Sequence, residues 1–267
     1  PSSATYSLEP LQFGAEFDLG DPQGSYEGAW GVDLHWCDLT ALVGFPAEGE
    51  SPWGANDKHI KNEDGGDVSS WRCVFLDVSL NHLKGMDVVT DQPGLHDVAV
   101  LDISNNLIDD LDGVQDLANL QILVASNNEL ESTEALGELP ADARLHHVDL
   151  CHNAISTFET PQLKNAFRSI KTLRLASNHL QLFEEDAALA MPSLERLDVS
   201  DNELVSIDWV AFLPALIFLD CSRNRLSVIS TFTSALAGPP RLTEVIAEGN
   251  KVTSDPQYRI TVLIKCK

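Results

Sequence analysis

Residues 73–83, CVFLDVSLNHL, and 98–108, VAVLDISNNLI, are two copies of one eleven-residue pattern, and their reading decides the fold. Apolar residues stand at the first, fourth, sixth and eleventh places, and asparagine at the ninth. Six more copies follow: LQILVASNNEL (120–130), LHHVDLCHNAI (145–155), IKTLRLASNHL (170–180), LERLDVSDNEL (194–204), LIFLDCSRNRL (216–226) and LTEVIAEGNKV (242–252). Their asparagines are Asn81, Asn106, Asn128, Asn153, Asn178, Asn202, Asn224 and Asn250, at successive intervals of 25, 22, 25, 25, 24, 22 and 26 residues.

Each place in the pattern has a physical task. Alternating apolar residues predict a short strand that turns Leu76 and Val78, or Leu197 and Val199, inward and leaves the intervening side chains outside. The asparagine follows where the chain leaves the strand, and a buried amide there can satisfy backbone groups of neighbouring coils. One coil offers six or seven inward side chains worth on the order of 1.5–3 kcal/mol each, against ~1–2 kcal/mol of backbone entropy per ordered residue. No coil can stand alone, so the coils must stack. The period is that of a leucine-rich repeat. The expected architecture is an α/β solenoid with a parallel sheet on the concave side and short 3₁₀ or α segments on the convex side.

Working outward, AWGVDLHWCDL (29–39) fits the pattern if Val32 and Leu34 point inward and Cys37 stands in for the asparagine. The predicted organisation is an irregular N-terminal cap over 1–72, holding this divergent repeat (about 29–45) and an insertion (about 47–70). Eight repeats over 73–252 follow, and then the start of a helical cap over 253–267, where Asp255 and Pro256 precede Val262, Leu263 and Ile264. Trp30, Trp36, Trp53 and Trp71 cluster in the N-terminal part, either sealing the stack or forming an exposed aromatic patch. Returns after a 22-residue interval leave room for a 3₁₀ turn. Longer ones, such as TPQLKNAFRSI with Leu163, Ala166, Phe167 and Ile170, are expected to hold two turns of α-helix. A chain that starts at Pro1 and ends on an apolar stretch is expected to be part of something longer.

The 267 residues carry a formal net charge of -24. That argues against nucleic acid as a direct ligand, which would require clustered Lys and Arg; the charge either keeps a repeat protein soluble or matches a protein partner with a basic or apolar surface. The charge is uneven: residues 1–57 hold ten acids and no Lys or Arg, whereas 223–267 hold seven basic residues and three acids. The cysteines are scattered, Cys73 and Cys221 at inward places and Cys151 on the outer side of a strand. With no cysteine cluster and no N-x-S/T acceptor, a reduced, intracellular protein with five free thiols is expected. The run Trp209–Leu219 is too short to span a bilayer and reads as core; no membrane association is expected, and a monomer is.

The 22-residue copies, the form L-x-x-L-x-L-S-x-N-x-L and the terminal G-N-x-V followed by Y-R and an apolar stretch resemble the intracellular class of leucine-rich repeat proteins typified by the regulatory subunit of protein phosphatase 1. That class includes the leucine-rich light chain of axonemal outer-arm dynein. The resemblance covers 73–267 and, more weakly, 29–45. It implies a cytoplasmic location, or alternatively a cilium, flagellum or nucleus. It also implies a partner-binding role: an adaptor, a phosphatase regulator, or an axonemal or tubulin-associated assembly factor.

The outward places should form the concave face. The third runs Phe75, Val100, Ile122, His147, Thr172, Arg196, Phe218 and Glu244; the fifth runs Asp33, Asp77, Asp102, Val124, Asp149, Arg174, Asp198, Asp220 and Ile246. Aspartate is disfavoured in a strand, and exposed apolar residues ringed by charge mark interaction sites. The face is therefore expected to bind a protein through Phe75, Asp77, Val100, Asp102, Ile122, Val124, His147, Asp149, Arg174, Arg196, Asp198, Phe218 and Asp220. His147, Asp149 and Cys151 share a face of one strand, but ligands diverging by roughly 6–7 Å per step suit no single metal ion. No catalytic residue, metal or other cofactor is expected.

Overall fold

The computed structural model describes residues 29–40, 72–86, 89, 93–140, 143–158 and 166–259. Nine strands form one all-parallel sheet: β1 (Ala29–Asp33), β2 (Arg72–Asp77), β3 (Val100–Asp102), β4 (Ile122–Val124), β5 (His147–Asp149), β7 (Thr172–Arg174), β9 (Arg196–Asp198), β10 (Phe218–Asp220) and β11 (Glu244–Ile246), in that spatial order. The short strands β6 (Thr157–Phe158) and β8 (Leu182–Phe183) pair separately on the return side. From β2 onward the register is uniform, each third, fourth and fifth place opposite its counterpart. The divergent repeat supplies the ninth strand as expected, joined to β2 with one shift between Trp30 and Gly31.

The inward places form a continuous core: Leu76, Leu101, Leu123, Val148, Leu173, Leu197 and Leu219 are fully buried. Cys73 and Cys221 lie among them, and burial raises their thiols to about 12. The asparagines form the expected spine. Asn106 Nδ2 donates to the carbonyls of Val78 in the preceding coil and Ile103 in its own, both at 3.0 Å, and its Oδ1 accepts from Leu83 N–H at 3.0 Å. The same links recur from Asn81 to Asn250. Cys37 keeps part of this role, its thiol meeting the His35 carbonyl at 3.5 Å.

The place before each asparagine has a left-handed backbone in every coil: Trp36, Leu80, Asn105, Asn127, His152, Ser177, Asp201 and Arg223 at φ of 49 to 57°, and Gly249 at 75°. Only asparagine, aspartate and glycine adopt it readily; elsewhere it costs roughly 1–2 kcal/mol. The backbone bonds of the stacked coils hold it there, as in the 3.0 Å bond from Leu80 N–H to the Ser104 carbonyl.

On the return side the two 22-residue intervals contain 3₁₀ turns, Val114–Asp116 and Asp208–Phe212, as their length requires. The longer returns divide. Two hold α-helix, Glu185–Leu189 in the 24-residue interval and Ile229–Leu236, two turns long, in the 26-residue one, whereas the described part of TPQLKNAFRSI forms a 3₁₀ turn, Ala166–Ser169. Aromatic side chains pack between the coils: Phe158 lies edge-on to Phe167 at 5.9 Å and stacked on Phe183 at 4.7 Å, which stacks on Trp209 at 4.0 Å. Trp209, Val210, Leu213, Leu216 and Leu219 are core, and no helix among the described residues is long and apolar enough to cross a membrane. At the C-terminal end Asp255 Oδ1 accepts from Gln257 N–H at 2.7 Å, and the rest of the expected cap, with Val262, Leu263 and Ile264, lies outside the described residues. The expected irregular segment, the whole of the insertion, Trp53, Trp71, Leu163 and Cys266 lie outside the described residues.

Candidate functional site

The third- and fifth-place side chains line one face of the sheet, and the structure sorts them in a way the sequence pattern did not. Val100 and Ile122, expected as exposed apolar anchors, are buried at 4% and 2% exposure. In register each is flanked on both sides, Val100 by Phe75 and Ile122, Ile122 by Val100 and His147, so neighbouring side chains cover them. Phe75, Val124 and Phe218 remain half-buried and reachable, and Arg174 and Arg196 are exposed. Asp149 is buried.

The row of aspartates has a structural task that its outward position concealed. One carboxylate oxygen of each accepts the backbone N–H two residues on: Asp77 from Ser79 at 2.9 Å, Asp102 from Ser104 at 2.9 Å, Asp149 from Cys151 at 3.0 Å, Asp198 from Ser200 at 3.0 Å and Asp220 from Ser222 at 2.9 Å. Short acidic side chains close turns in this way, and here they bend the chain off the strand toward the buried asparagine. The turn also draws in the seventh place, so Ser79, Ser104, Ser200 and Ser222 are buried, and Cys151 with them. Cys151, expected on the outer side, is therefore enclosed; burial first, then Asp149 beside it, raises its thiol to about 12. The second carboxylate oxygens are left to set the electrostatics of the face.

Those electrostatics divide at Val124. Toward the C-terminal end most charges have partners within the chain, although Asp198 and Asp220 stand next to each other with no ion pair to Lys or Arg among the described residues. Arg174 Nη1 donates to Asp149 Oδ2 at 2.6 Å and stands in register with Asp198, the Arg196 guanidinium lies 4.3 Å over the Phe218 ring, and Arg223 and Arg225 reach Asp201 and Glu203 at 3.4 and 3.1 Å. His147 is held below the usual imidazole range, chiefly by burial and also by Arg174, against the opposing pull of Asp149; it is a neutral ring in the middle of the face.

Toward the N-terminal end Asp33, Asp77 and Asp102 stand side by side in register, and among the described residues no Lys or Arg forms an ion pair with any of them. Burial raises Asp102, and the like charges of Asp77 and Asp149 raise it further. Among the described residues His35 is the compensating group, its Nδ1 meeting Asp33 Oδ1 at 2.5 Å; that bond and the charge of Asp33 raise the imidazole. One donor atom each from Asp33, His35 and Asp77 lies within 4.8 Å of the others, a two-carboxylate, one-imidazole set of the kind that zinc or manganese accepts. The trio weighed from the sequence, His147, Asp149 and Cys151, has no such freedom, because Asp149 is committed to Arg174 and to the Cys151 N–H.

Trp36 and Leu80 border this acidic end, exposed at 79% and 45%. Both occupy the left-handed place, and Trp36 N–H donates to the Ser79 carbonyl at 3.0 Å, which sets the two in adjacent coils. The choice between a sealing and an exposed role for the tryptophans thus resolves, for Trp36, to exposed.

A nine-stranded parallel sheet, a spine of buried asparagines and short returns decide the identification. This is a leucine-rich repeat solenoid. Residues 143–204 match the family model described as leucine rich repeat. The chain is 29% identical over 157 residues to leucine-rich repeats and immunoglobulin-like domains protein 1 of Homo sapiens, covering 57% of this chain and 14% of that protein. It is 32% identical over 148 residues to leucine-rich repeat-containing G-protein coupled receptor 5 of Rattus norvegicus, covering 54% of this chain and 16% of that one. The solenoid therefore spans a small fraction of the length of these curated relatives. Internalin C2 of Listeria monocytogenes shares its fold at a TM-score of 0.54 and 20% identity, over 70% of this chain and 80% of that one. These likenesses carry the leucine-rich repeat solenoid as a fold, a coarser assignment than the phosphatase-regulatory and dynein-light-chain class.

Proposed function

We propose that the solenoid is a non-enzymatic adaptor that binds another protein on the face formed by the third and fifth places. The observation that supports this most is the mixture on that face: half-buried Phe75, Val124 and Phe218 beside exposed Arg174, Arg196 and partly exposed aspartates. Apolar anchors ringed by charge have the composition of a hot spot and its rim. The buried thiols are poor nucleophiles, since Cys73, Cys151 and Cys221 are all raised to about 12. Free Cys37, Cys73, Cys151 and Cys221 support a reducing, intracellular setting, in the cytoplasm or at a cilium, flagellum or nucleus. The resemblance adds two specific versions, an adaptor on a phosphatase and one in an axonemal or tubulin-related assembly.

The test is capture of partners by tagged wild-type protein, followed by purification of the recovered partner and titration against Phe75→Ala combined with Phe218→Ala. A return-side change, Asp116→Lys, serves as the comparison. Loss of about 2 kcal/mol or more of binding energy in the double variant, with under about 1 for Asp116→Lys, is the expected result. Unchanged affinity in the double variant with loss on Asp116→Lys would move the site to the return side.

A further inference from the structure

We infer that the N-terminal end of this face, Asp33, Asp77 and Asp102 with Trp36 and Leu80, is a dock for a basic, extended segment of a partner protein carrying one large apolar side chain between its cationic residues. The inference rests on the adaptor reading and names the chemistry of the partner.

Three observations converge on it. First, the fifth-place row has its longest run of adjacent carboxylates here. Asp33, Asp77 and Asp102 are neighbours in register with no ion pair to Lys or Arg among the described residues, whereas beyond Val124 Arg174 pairs with Asp149 and stands in register with Asp198, leaving Asp198 and Asp220 as a run of two. Like charges directly across adjacent strands repel, and each of the three has one carboxylate oxygen already occupied by its turn. The free oxygens face outward at strand spacing, about 4.8 Å apart, which suits successive cationic groups that accept no hydrogen bond from the site and only donate.

Second, the apolar pair beside this row occupies an unfavourable backbone. Of the nine residues at the left-handed place, Asn105, Asn127, Asp201 and Gly249 adopt it readily and His152, Ser177 and Arg223 are polar; Trp36 and Leu80 alone are large and apolar. Their side chains gain little from the fold, being 79% and 45% exposed. Third, the two features are fixed relative to each other. Asp33 precedes Trp36, and Asp77 precedes Leu80, by three residues of the same tight turn, so an apolar side chain lodged against Trp36 and Leu80 brings its flanking residues over the carboxylates.

The experiment uses three fluorescein-labelled nine-residue peptides: arginines flanking a central leucine, the same peptide with the leucine replaced by glycine, and the same with glutamates for arginines. Anisotropy titrations are run in EDTA against the full chain. Asp77→Asn with Asp102→Asn is an informative variant because an amide oxygen still accepts the Ser79 and Ser104 N–H groups, so the turns survive. Trp36→Ser with Leu80→Asn removes the apolar pair and relaxes the backbone, and Asp198→Asn with Asp220→Asn is the matched change at the other end. The arginine–leucine peptide should bind at least about tenfold more tightly than either comparison peptide, and lose about tenfold in each N-terminal variant but under about threefold in the matched one.

Equal losses at both ends, no binding up to millimolar peptide, or indifference to the central leucine overturns the inference. So does zinc chloride binding that Asp33→Asn removes while no peptide binds, which assigns the cluster to a cation. Self-association abolished by the same variants would assign the patch to a second copy and overturn it too. A purified partner that loses affinity through Phe218→Ala and is unaffected by the Asp77 and Asp102 changes would leave the adaptor reading standing and remove only this one.

Discussion

The two ends of the sheet face are built on the same scaffold and differ in what they leave unsatisfied. Beyond Val124 the arginines are supplied by the chain: Arg174 lies against buried Asp149 at 2.6 Å, and Arg223 and Arg225 meet Asp201 and Glu203. Before Val124 three aspartates are adjacent, His35 among the described residues partly compensates them, and two large apolar side chains are exposed beside them. Both ends show an acidic row in the sequence. The lesson is that a charge column has no meaning by itself; what decides is whether the next strand brings the opposite sign into register.

That contrast can be broken at the level of the scaffold, where the largest effects are expected. Asn106→Ala and Asn202→Ala remove the same links at the two ends, each leaving one backbone N–H, of Leu83 or Leu180, without its acceptor and taking one of two amide donors from carbonyls in two coils. Both should cost about 2–4 kcal/mol in urea unfolding. A difference of several kcal/mol between them would mean that the ends differ in their core and not in their surface.

Gly238 tests the C-terminal end further. A Cβ there would lie 2.4 Å from Ala211 Cα, a backbone atom that cannot rotate away. Gly238→Ala should therefore cost about 1–3 kcal/mol, with the change confined to the contact between the Ile229–Leu236 helix and the Asp208–Phe212 turn. A neutral result in thermal unfolding would show that these elements separate easily.

Arg174→Met leaves Asp149 buried with Cys151, its N–H and thiol, in place of a cationic partner, and should lose about 1–2 kcal/mol. Asp102→Asn makes the opposite change at the other end: it keeps the Ser104 N–H bond and deletes a charge beside Asp77. It should be neutral or stabilising by up to about 1 kcal/mol at neutral pH. Because burial and like charge raise Asp102, its protonation favours the folded state. Wild type loses stability as pH rises through the raised value, so the advantage of Asp102→Asn is full at neutral pH and fades as pH falls into the carboxylate range. An advantage that grows on acidification would contradict the sign.

The smallest effect expected is at His147, which burial lowers. Its protonation favours the unfolded chain, so this contribution is present above the ordinary imidazole value and lost as pH falls through it. His147→Gln should flatten that part of the stability profile by less than about 1 kcal/mol, measured by urea titration at successive pH values.

Much of the fold was legible because the determinants are local and repeated. Leu76 and Val78 alternate within three residues, and Asn81 to Asn250 recur at a fixed place in the pattern, so each copy confirms the others. The return segments were less legible. The apolar spacing of Phe167 and Ile170 fits a helix, yet Ala166–Ser169 form a 3₁₀ turn, and the rings of Phe158, Phe183 and Trp209 stack from three different coils, a packing that no single return encodes. The site was legible as a set of columns and misread within them. Val100 and Ile122 are outward by pattern and buried by their neighbours, and the aspartates are partly occupied with turns. A weak signal for the turn was available in the recurring D-x-S of coils such as Asp77–Ser79 and Asp198–Ser200.

The sequence by itself determined the period, the inward and outward places, the nine strands and the asparagine spine, because alternation and the need of a buried amide for partners are properties of single coils and their repetition. The tertiary structure alone decided that Asp33, His35 and Asp77 meet across 44 residues of chain, that Arg174 neutralises Asp149, and that Trp36 and Leu80 are held side by side on a left-handed backbone. Those are relations between coils whose separating segments differ in length and composition. Stacking in register converts residues far apart in the chain into neighbours one strand spacing apart, where charge and exposure are settled.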